Sequence, residues 1–120
     1  MEPFVLLQVA HGPAHGYEIA QAMGEFGFRR VAEDPSALYK LLRLFEEEGI
    51  VTSEWAIADS GPPRRVYELT SKGHEYLAQR ADDMQRQKAR IGVFLDRFAK
   101  MKRKATRGGT TTKGREKRDE

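Results

Sequence analysis

Apolar residues recur with helical spacing most clearly in the middle of the chain. Leu38, Leu41, Leu42 and Phe45 fall at i, i+3, i+4 and i+7, so they share one face of a helix. The flanking residues agree with that reading. Asp34 is an N-cap type, Pro35 suits the first helical position, and Gly49 supplies the stop. Ser36, Lys40, Arg43 and Glu47 lie opposite the apolar stripe, with Tyr39 at its border. Beyond Gly49 the period changes to that of a strand: Val51, Ser53, Trp55 and Ile57 alternate with Thr52, Glu54 and Ala56. Asp59-Ser60-Gly61-Pro62-Pro63 then turns the chain, and Arg65-Val66-Tyr67-Glu68-Leu69 returns as the partner strand.

Upstream, Phe4–Ala10 reads as a short, mostly buried first helix, broken by His11-Gly12-Pro13. Ala14–Gly24 restarts as a second helix with Ile19, Ala20 and Met23 at helical spacing. Gly24 and Gly27 end it, and Phe26 and Phe28 are expected to fold back onto the core. The capped helix is therefore the third. Downstream, Thr70-Ser71 caps a long last helix in which Leu77, Met84, Ile91 and Phe98 repeat every seven residues. Phe94 and Met101 add the alternate heptad positions, and Leu95 widens the stripe. Two to three heptads from Met84 to Met101 are too few for a free-standing coiled coil and suit a helix packing on a partner subunit. Gly92 within them fits close backbone approach there. The predicted fold is α+β, mostly α: a winged helix-turn-helix over residues 1–70 with a two-stranded wing, a long C-terminal dimerisation helix over 71–104, and a disordered basic tail over 105–120.

Charge modifies this picture. The formal net charge is +3, but residues 1–96 hold 11 basic and 15 acidic side chains, whereas residues 97–120 hold 10 and 3. The predicted folded body is thus not globally basic, and any grip on nucleic acid must rest on a local patch with help from the tail. The basic tail adds nonspecific affinity by counterion release, or merely serves as a solubilising end. The absence of cysteine removes disulfides and thiolate metal sites. No apolar run approaches the ~20 residues of a membrane span, and Met1–Ala10 lacks the pattern of a signal peptide, so a cytoplasmic, nucleoid-associated protein without a membrane partner is expected.

The candidate chemistry is recognition of double-stranded DNA. A recognition helix needs a buried face, an outward face of short and basic residues, and an N-terminus aimed at the groove. The third helix offers Lys40 and Arg43 for phosphates or guanine edges, and Ser36, Ala37 and the first amides for close approach. Arg64 and Arg65 at the hairpin suit the DNA backbone or the minor groove. Each feature has a plainer counterpart: a solvated helix face, or charges that protect a hairpin edge. Their joint occurrence in the right order is what carries weight. Trp55 suits the core or packing across the hairpin, or stacking on a small planar effector at a dimer cleft. His11 and His15 are four apart, but Gly12-Pro13 between them denies a regular helix and no third ligand is evident, so no metal or other cofactor is expected. Asp82-Asp83 reads as a solvated face, and with no phosphate loop or activated nucleophile, no catalytic residue and no enzyme activity are expected. Glu46-Glu47-Glu48 slightly favours an alternative role as a winged-helix module that binds protein instead of DNA, but is discounted because it lies at the C-terminal end of the third helix, away from the predicted groove contact.

Three motifs in register also resemble the PadR family of bacterial transcription regulators: His15-Gly16-Tyr17-Glu18-Ile19-Ala20; Leu38-Tyr39 followed by Arg43, Glu46 and Gly49-Ile50-Val51; and Gly61-Pro62-Pro63-Arg64-Arg65-Val66-Tyr67-Glu68-Leu69-Thr70 with Gly73. The likeness spans about residues 4–77. It implies a homodimeric repressor joined through its last helix, here through Met84, Ile91, Phe94, Leu95, Phe98 and Met101. By the same likeness the Tyr39 region and the wing arginines touch DNA, and Tyr17 lies near a phosphate or packs against the third helix. Ser36-Ala37 stands where the family usually has Gly-Thr, and Lys40 where it usually has proline. The resulting expectation is a cytoplasmic, effector-responsive homodimeric repressor on an inverted-repeat operator.

Overall fold

The computed structural model describes residues 1–57 and 61–108. The chain divides into two units, one spanning Met1–Ala81 and the other beginning at Asp82. In order, the elements are α1 (Glu2–Ala10), β1 (Ala14–His15), α2 (Gly16–Glu25), α3 (Arg29–Glu33), α4 (Ser36–Glu47), β2 (Val51–Ala56), β3 (Arg64–Leu69) and α5 (Ser71–Gly108).

The core of the first unit follows the apolar periodicity. Val5, Leu6 and Val9 of α1, Ile19, Ala20 and Met23 of α2, Leu38, Leu42 and Phe45 of α4, and Ile50, Val51 and Tyr67 of the wing are buried together. Leu41, expected in the core, is only partly buried at its margin. Phe28 packs at the margin as well, whereas Phe26 stays exposed; both lie edge-on to Phe4, at 5.2 and 5.0 Å between ring centroids.

Three local features depart from the sequence reading. The second helix begins at Gly16 instead of Ala14, because Ala14 and His15 are extended and pair antiparallel with β3, opposite Tyr67 and Val66. This makes the sheet three-stranded, in the order β1-β3-β2. The added strand covers the edge that β3 would otherwise leave open, and two residues are too short to show a period in sequence. Second, a one-turn helix, α3, precedes the capped helix and buries none of its residues fully, so it carries no apolar stripe by which to recognise it. The capped helix is therefore α4. Third, α4 starts at Ser36, one residue later than expected. The Asp34 carboxylate still serves that end, accepting the Ser36 hydroxyl and, at 3.3 Å, the Ser36 N–H. The turn residues Asp59 and Ser60 lie outside the described residues, as does the tail from 109 onward; residues 105–108, assigned to the tail by composition, are helical.

The C-terminal end of α4 is closed tightly. Gly49 adopts φ +77°, a conformation that disfavours a Cβ. Its N–H donates to the Glu46 carbonyl at 3.1 Å, and Ile50 N–H donates to the Phe45 carbonyl at 2.8 Å, while the Ile50 and Phe45 side chains are both buried. This is a Schellman closure with its hydrophobic contact. The first turns of α5 then grip the same end. Thr70 caps α5 by accepting the Gly73 N–H at 2.9 Å, and its own N–H donates to the Ile50 carbonyl at 3.1 Å. Lys72 Nζ donates to the Glu48 carbonyl at 2.7 Å, a cation at the negative end of α4. Tyr76 lies edge-on to Phe45 at 6.4 Å and donates its hydroxyl to Glu2 of α1 at 3.3 Å.

Gly73 is buried in this junction, where a Cβ would be driven into the Ile50 carbonyl oxygen and lie 2.8 Å from Leu69 Cδ1. Gly73→Ala should therefore destabilise the fold by about 1–3 kcal/mol, the usual cost of overpacking. Urea unfolding measures this; a variant as stable as the wild type would show that α5 does not lodge against Ile50.

Candidate nucleic-acid interface

With Leu38, Leu42 and Phe45 turned inward, α4 presents Ser36, Lys40, Arg43 and Glu47 to solvent. Ala37 is also exposed. Tyr39 and Glu46, seven residues apart, run along one flank of the same helix and meet two neighbouring elements there. The Tyr39 ring lies against Gly16 at the start of α2: a Cβ on Gly16 would strike the ring and lie 3.1 Å from its hydroxyl oxygen. Tyr17, the next residue, is exposed and does not take that packing place. The entry of α2 is fixed by Glu18, whose carboxylate accepts the His15 N–H at 2.9 Å.

Glu46 meets the wing. The register Ser53↔Tyr67 and Trp55↔Arg65 puts these four residues on one face of the sheet. Ser53 Oγ lies 2.8 and 2.9 Å from the two Glu46 carboxylate oxygens and accepts Arg65 Nη1–H at 2.6 Å. A hydroxyl has one proton to give, so Ser53 donates to Glu46 while accepting from Arg65. The Arg65 guanidinium in turn sits over the Trp55 ring, 4.7 Å from its centroid, in a cation–π contact. Trp55 is not a core residue; it is 61% exposed. The two wing arginines are thus unequal. Arg65 is half-buried and held, whereas Arg64 faces the other side of the sheet and is exposed.

These elements enclose an open cleft of about 440 Å³ whose walls include Gly16, Tyr17, Tyr39, Trp55, Arg64, Arg65 and Tyr67. Burial pushes the Tyr67 phenol above its ordinary pKa against the opposing pull of Arg65, so it remains a neutral hydroxyl. A cleft with aromatic walls and guanidinium groups suits an anionic, partly apolar polymer such as a sugar-phosphate backbone.

Sequence reasoning set Glu46 aside as distant and passed over Ser53 and Tyr67. The spacing Tyr39–Arg43–Glu46 already put Glu46 on the Tyr39 flank, but the link to Arg65 needs the fold. Elsewhere, His11 Nδ1 lies 2.9 Å from the Leu7 carbonyl, and His15 lies in β1. In the second unit, Met84, Ile91, Phe94, Leu95, Phe98 and Met101 are all exposed. Phe94 and Phe98 stack at 6.3 Å, and a shallow groove runs between Arg90, Val93, Phe94, Arg97, Phe98 and Met101.

Comparison with known proteins agrees with this architecture. The model of the transcriptional regulator PadR-like family matches residues 5–79. The chain belongs to that family. Its PadR-type motifs sit at the start of α2, on α4 and on β3, the elements that build the cleft. Among solved structures, it is similar to a PadR-like transcriptional regulator from Bacillus cereus, with 24% identity, 78% of this chain and 89% of that chain covered, and a TM-score of 0.69. It is also similar to a PadR family transcriptional regulator from Eggerthella lenta, with 29% identity, 78% and 76% covered, and a TM-score of 0.63. A relative from Lysinibacillus sphaericus, an uncharacterized protein, is 21% identical over 80% of this chain and 88% of that one.

The N-terminus of α4 has its own anion. The Ser36 hydroxyl and N–H hold the Asp34 carboxyl below its ordinary pKa, so the first amide of the helix is already engaged at neutral pH. A depressed carboxyl contributes stability above its unfolded value of about 3.9, and loses it as the pH falls through the lower folded value. A carboxyl-carbon NMR titration should give an Asp34 midpoint below that of an unstructured aspartate, and Ser36→Ala should bring it back up. An unshifted wild-type midpoint would remove Asp34 from this cap.

Proposed function

We propose that the chain is a sequence-specific DNA-binding repressor that acts as a homodimer on an inverted-repeat operator. The observation that carries this reading is the exposed Ser36–Lys40–Arg43 face of α4, fixed by burial of Leu38, Leu42 and Phe45 on the opposite face and flanked by Tyr17 and the wing arginines. Such a helix enters a major groove while the wing follows the adjacent backbone. Lys40 and Arg43 read base edges or phosphates, Tyr39 borders them, and Arg64 and Arg65 take the backbone. Ser36 and Ala37 supply close van der Waals approach, the Ser36 hydroxyl being engaged by Asp34. The alternative of a protein-binding module draws on the acidic end of α4, and is weakened because Glu46 is spent on Ser53.

The dimer rests on the exposed apolar stripe from Met84 to Met101, more contiguous apolar surface than a solvated helix needs. Two-fold symmetry then sets half-sites about one helical turn, ~34–36 Å, apart. A small planar effector that stacks on the exposed Trp55 ring would release the operator by favouring a DNA-incompetent state.

Two measurements test these roles. Selection of bound sequences from genomic fragments should recover an inverted repeat, with affinity falling steeply as salt rises. On that sequence Lys40→Ala or Arg43→Ala should each cost roughly 1–3 kcal/mol; full affinity in both would remove α4 as the reading element. Separately, Ile91→Glu or Phe98→Glu should sediment as a monomer and lose tight binding. A dimer that survives both changes would place the subunit interface elsewhere.

A further inference from the structure

The wing arginine that reaches the cleft is held by residues that need not touch DNA. We infer that Ser53 and Glu46 are positioning residues for DNA binding: they hold Arg65 ready to take a backbone phosphate. This rests on the DNA-binding reading above.

The argument begins with donors and acceptors. Arg65 carries five N–H donors in a planar fork. Among the described residues its side-chain acceptor is Ser53 Oγ, reached by Nη1 at 2.6 Å. Within the described residues the other donors face no side-chain acceptor, and Arg65 lines the cleft. Ser53 is itself oriented by Glu46, since its only proton goes to that carboxylate and leaves its lone pairs to Arg65. The Trp55 ring adds a cation–π contact, 4.7 Å from the guanidinium carbon to its centroid. The carboxylate lies one hydrogen bond beyond Ser53, so it polarises the hydroxyl without neutralising the arginine in a direct ion pair.

A long arginine side chain loses rotamer freedom when it binds an anion, and restraint beforehand reduces that loss. Ser53 and Glu46 therefore raise affinity through Arg65 and not through contacts of their own. Arg64 is on the opposite face of the sheet and exposed, and among the described residues it makes no such side-chain contact. The two neighbouring arginines then differ in role: Arg65 is a fixed phosphate contact and Arg64 an adaptable one.

The test is a double-mutant cycle in the full-length chain on a selected genomic fragment, read by fluorescence anisotropy over a range of salt. Ser53→Ala should weaken binding about 5- to 10-fold with the salt dependence unchanged, because the phosphate contact persists in a less prepared form. Ser53→Thr, which keeps the hydroxyl, should restore affinity to within about twofold. Arg65→Ala should weaken binding further and lower the salt slope by about one. In the Arg65→Ala background, Ser53→Ala should have no additional effect. Trp55 is the single tryptophan, so its emission in the free protein reports on the guanidinium above it, and Ser53→Ala should shift it in the same direction as Arg65→Ala. An unaltered affinity in Ser53→Ala, or an equal loss in the wild-type and Arg65→Ala backgrounds, overturns the positioning role while leaving the DNA-binding reading intact. Absence of binding by the wild-type chain to any fragment sinks that reading and the phosphate role with it.

Discussion

Burial of one face of α4 is the constraint on which the site depends. Leu38 and Leu42 are fully enclosed and Phe45 nearly so, and each such side chain stabilises the fold by roughly 1.5–3 kcal/mol when removed from water. A helix held at three points along its length cannot rotate. Its remaining residues are therefore assigned fixed directions: Lys40 and Arg43 outward, Tyr39 and Glu46 sideways toward α2 and the wing. The Schellman closure at Gly49 and the grip of Thr70 and Lys72 then stop the helix from sliding along its axis.

The same constraint propagates into the wing. Because Ile50 and Val51 continue the buried surface that Phe45 begins, β2 leaves the helix at a set angle and register. Alternation along β2 and β3 then delivers Ser53, Trp55, Arg65 and Tyr67 to the face that Glu46 overlooks. Polar groups on that face find one another as a consequence of apolar packing. Close approach is secured by the absence of side chains at two places, Gly16 beneath Tyr39 and Gly73 beneath the Ile50 carbonyl. Gly16 falls within the range matched by the PadR-like family model, and so does Gly73.

Electrostatics within this frame are local. The body of the chain has more acidic than basic groups, and three acids near the proposed interface are hydrogen-bonded: Asp34 by Ser36 at the start of α4, Glu18 by the His15 amide, and Glu46 by Ser53. Their charge is directed at specific donors, which leaves Lys40, Arg43 and Arg64 as the outward cations. Glu47 shares the outward face of α4 with Lys40 and Arg43, so that surface carries both signs of charge.

The sequence by itself determined the elements whose signals are local. The 3.6-residue stripe and stop of α4, the alternation of the two wing strands and the cap of α5 are all decided by neighbours within a few positions, and each is recovered in the fold. The outward residues of α4 followed directly, since a helix with one buried face has only one other. Tertiary structure decided what depends on partners distant in sequence. A two-residue strand at Ala14–His15 exists only because β3 offers an edge to pair with, and the single turn of α3 lacks a stripe to announce it. Of the core and hairpin-packing places open to Trp55, the fold gives it the second, against Arg65 across the wing, because the strand pattern fixes alternation but not which end of a face the helices cover. The Glu46–Ser53–Arg65 chain joins residues seven and twelve positions apart, across three elements, and no periodicity encodes such a link.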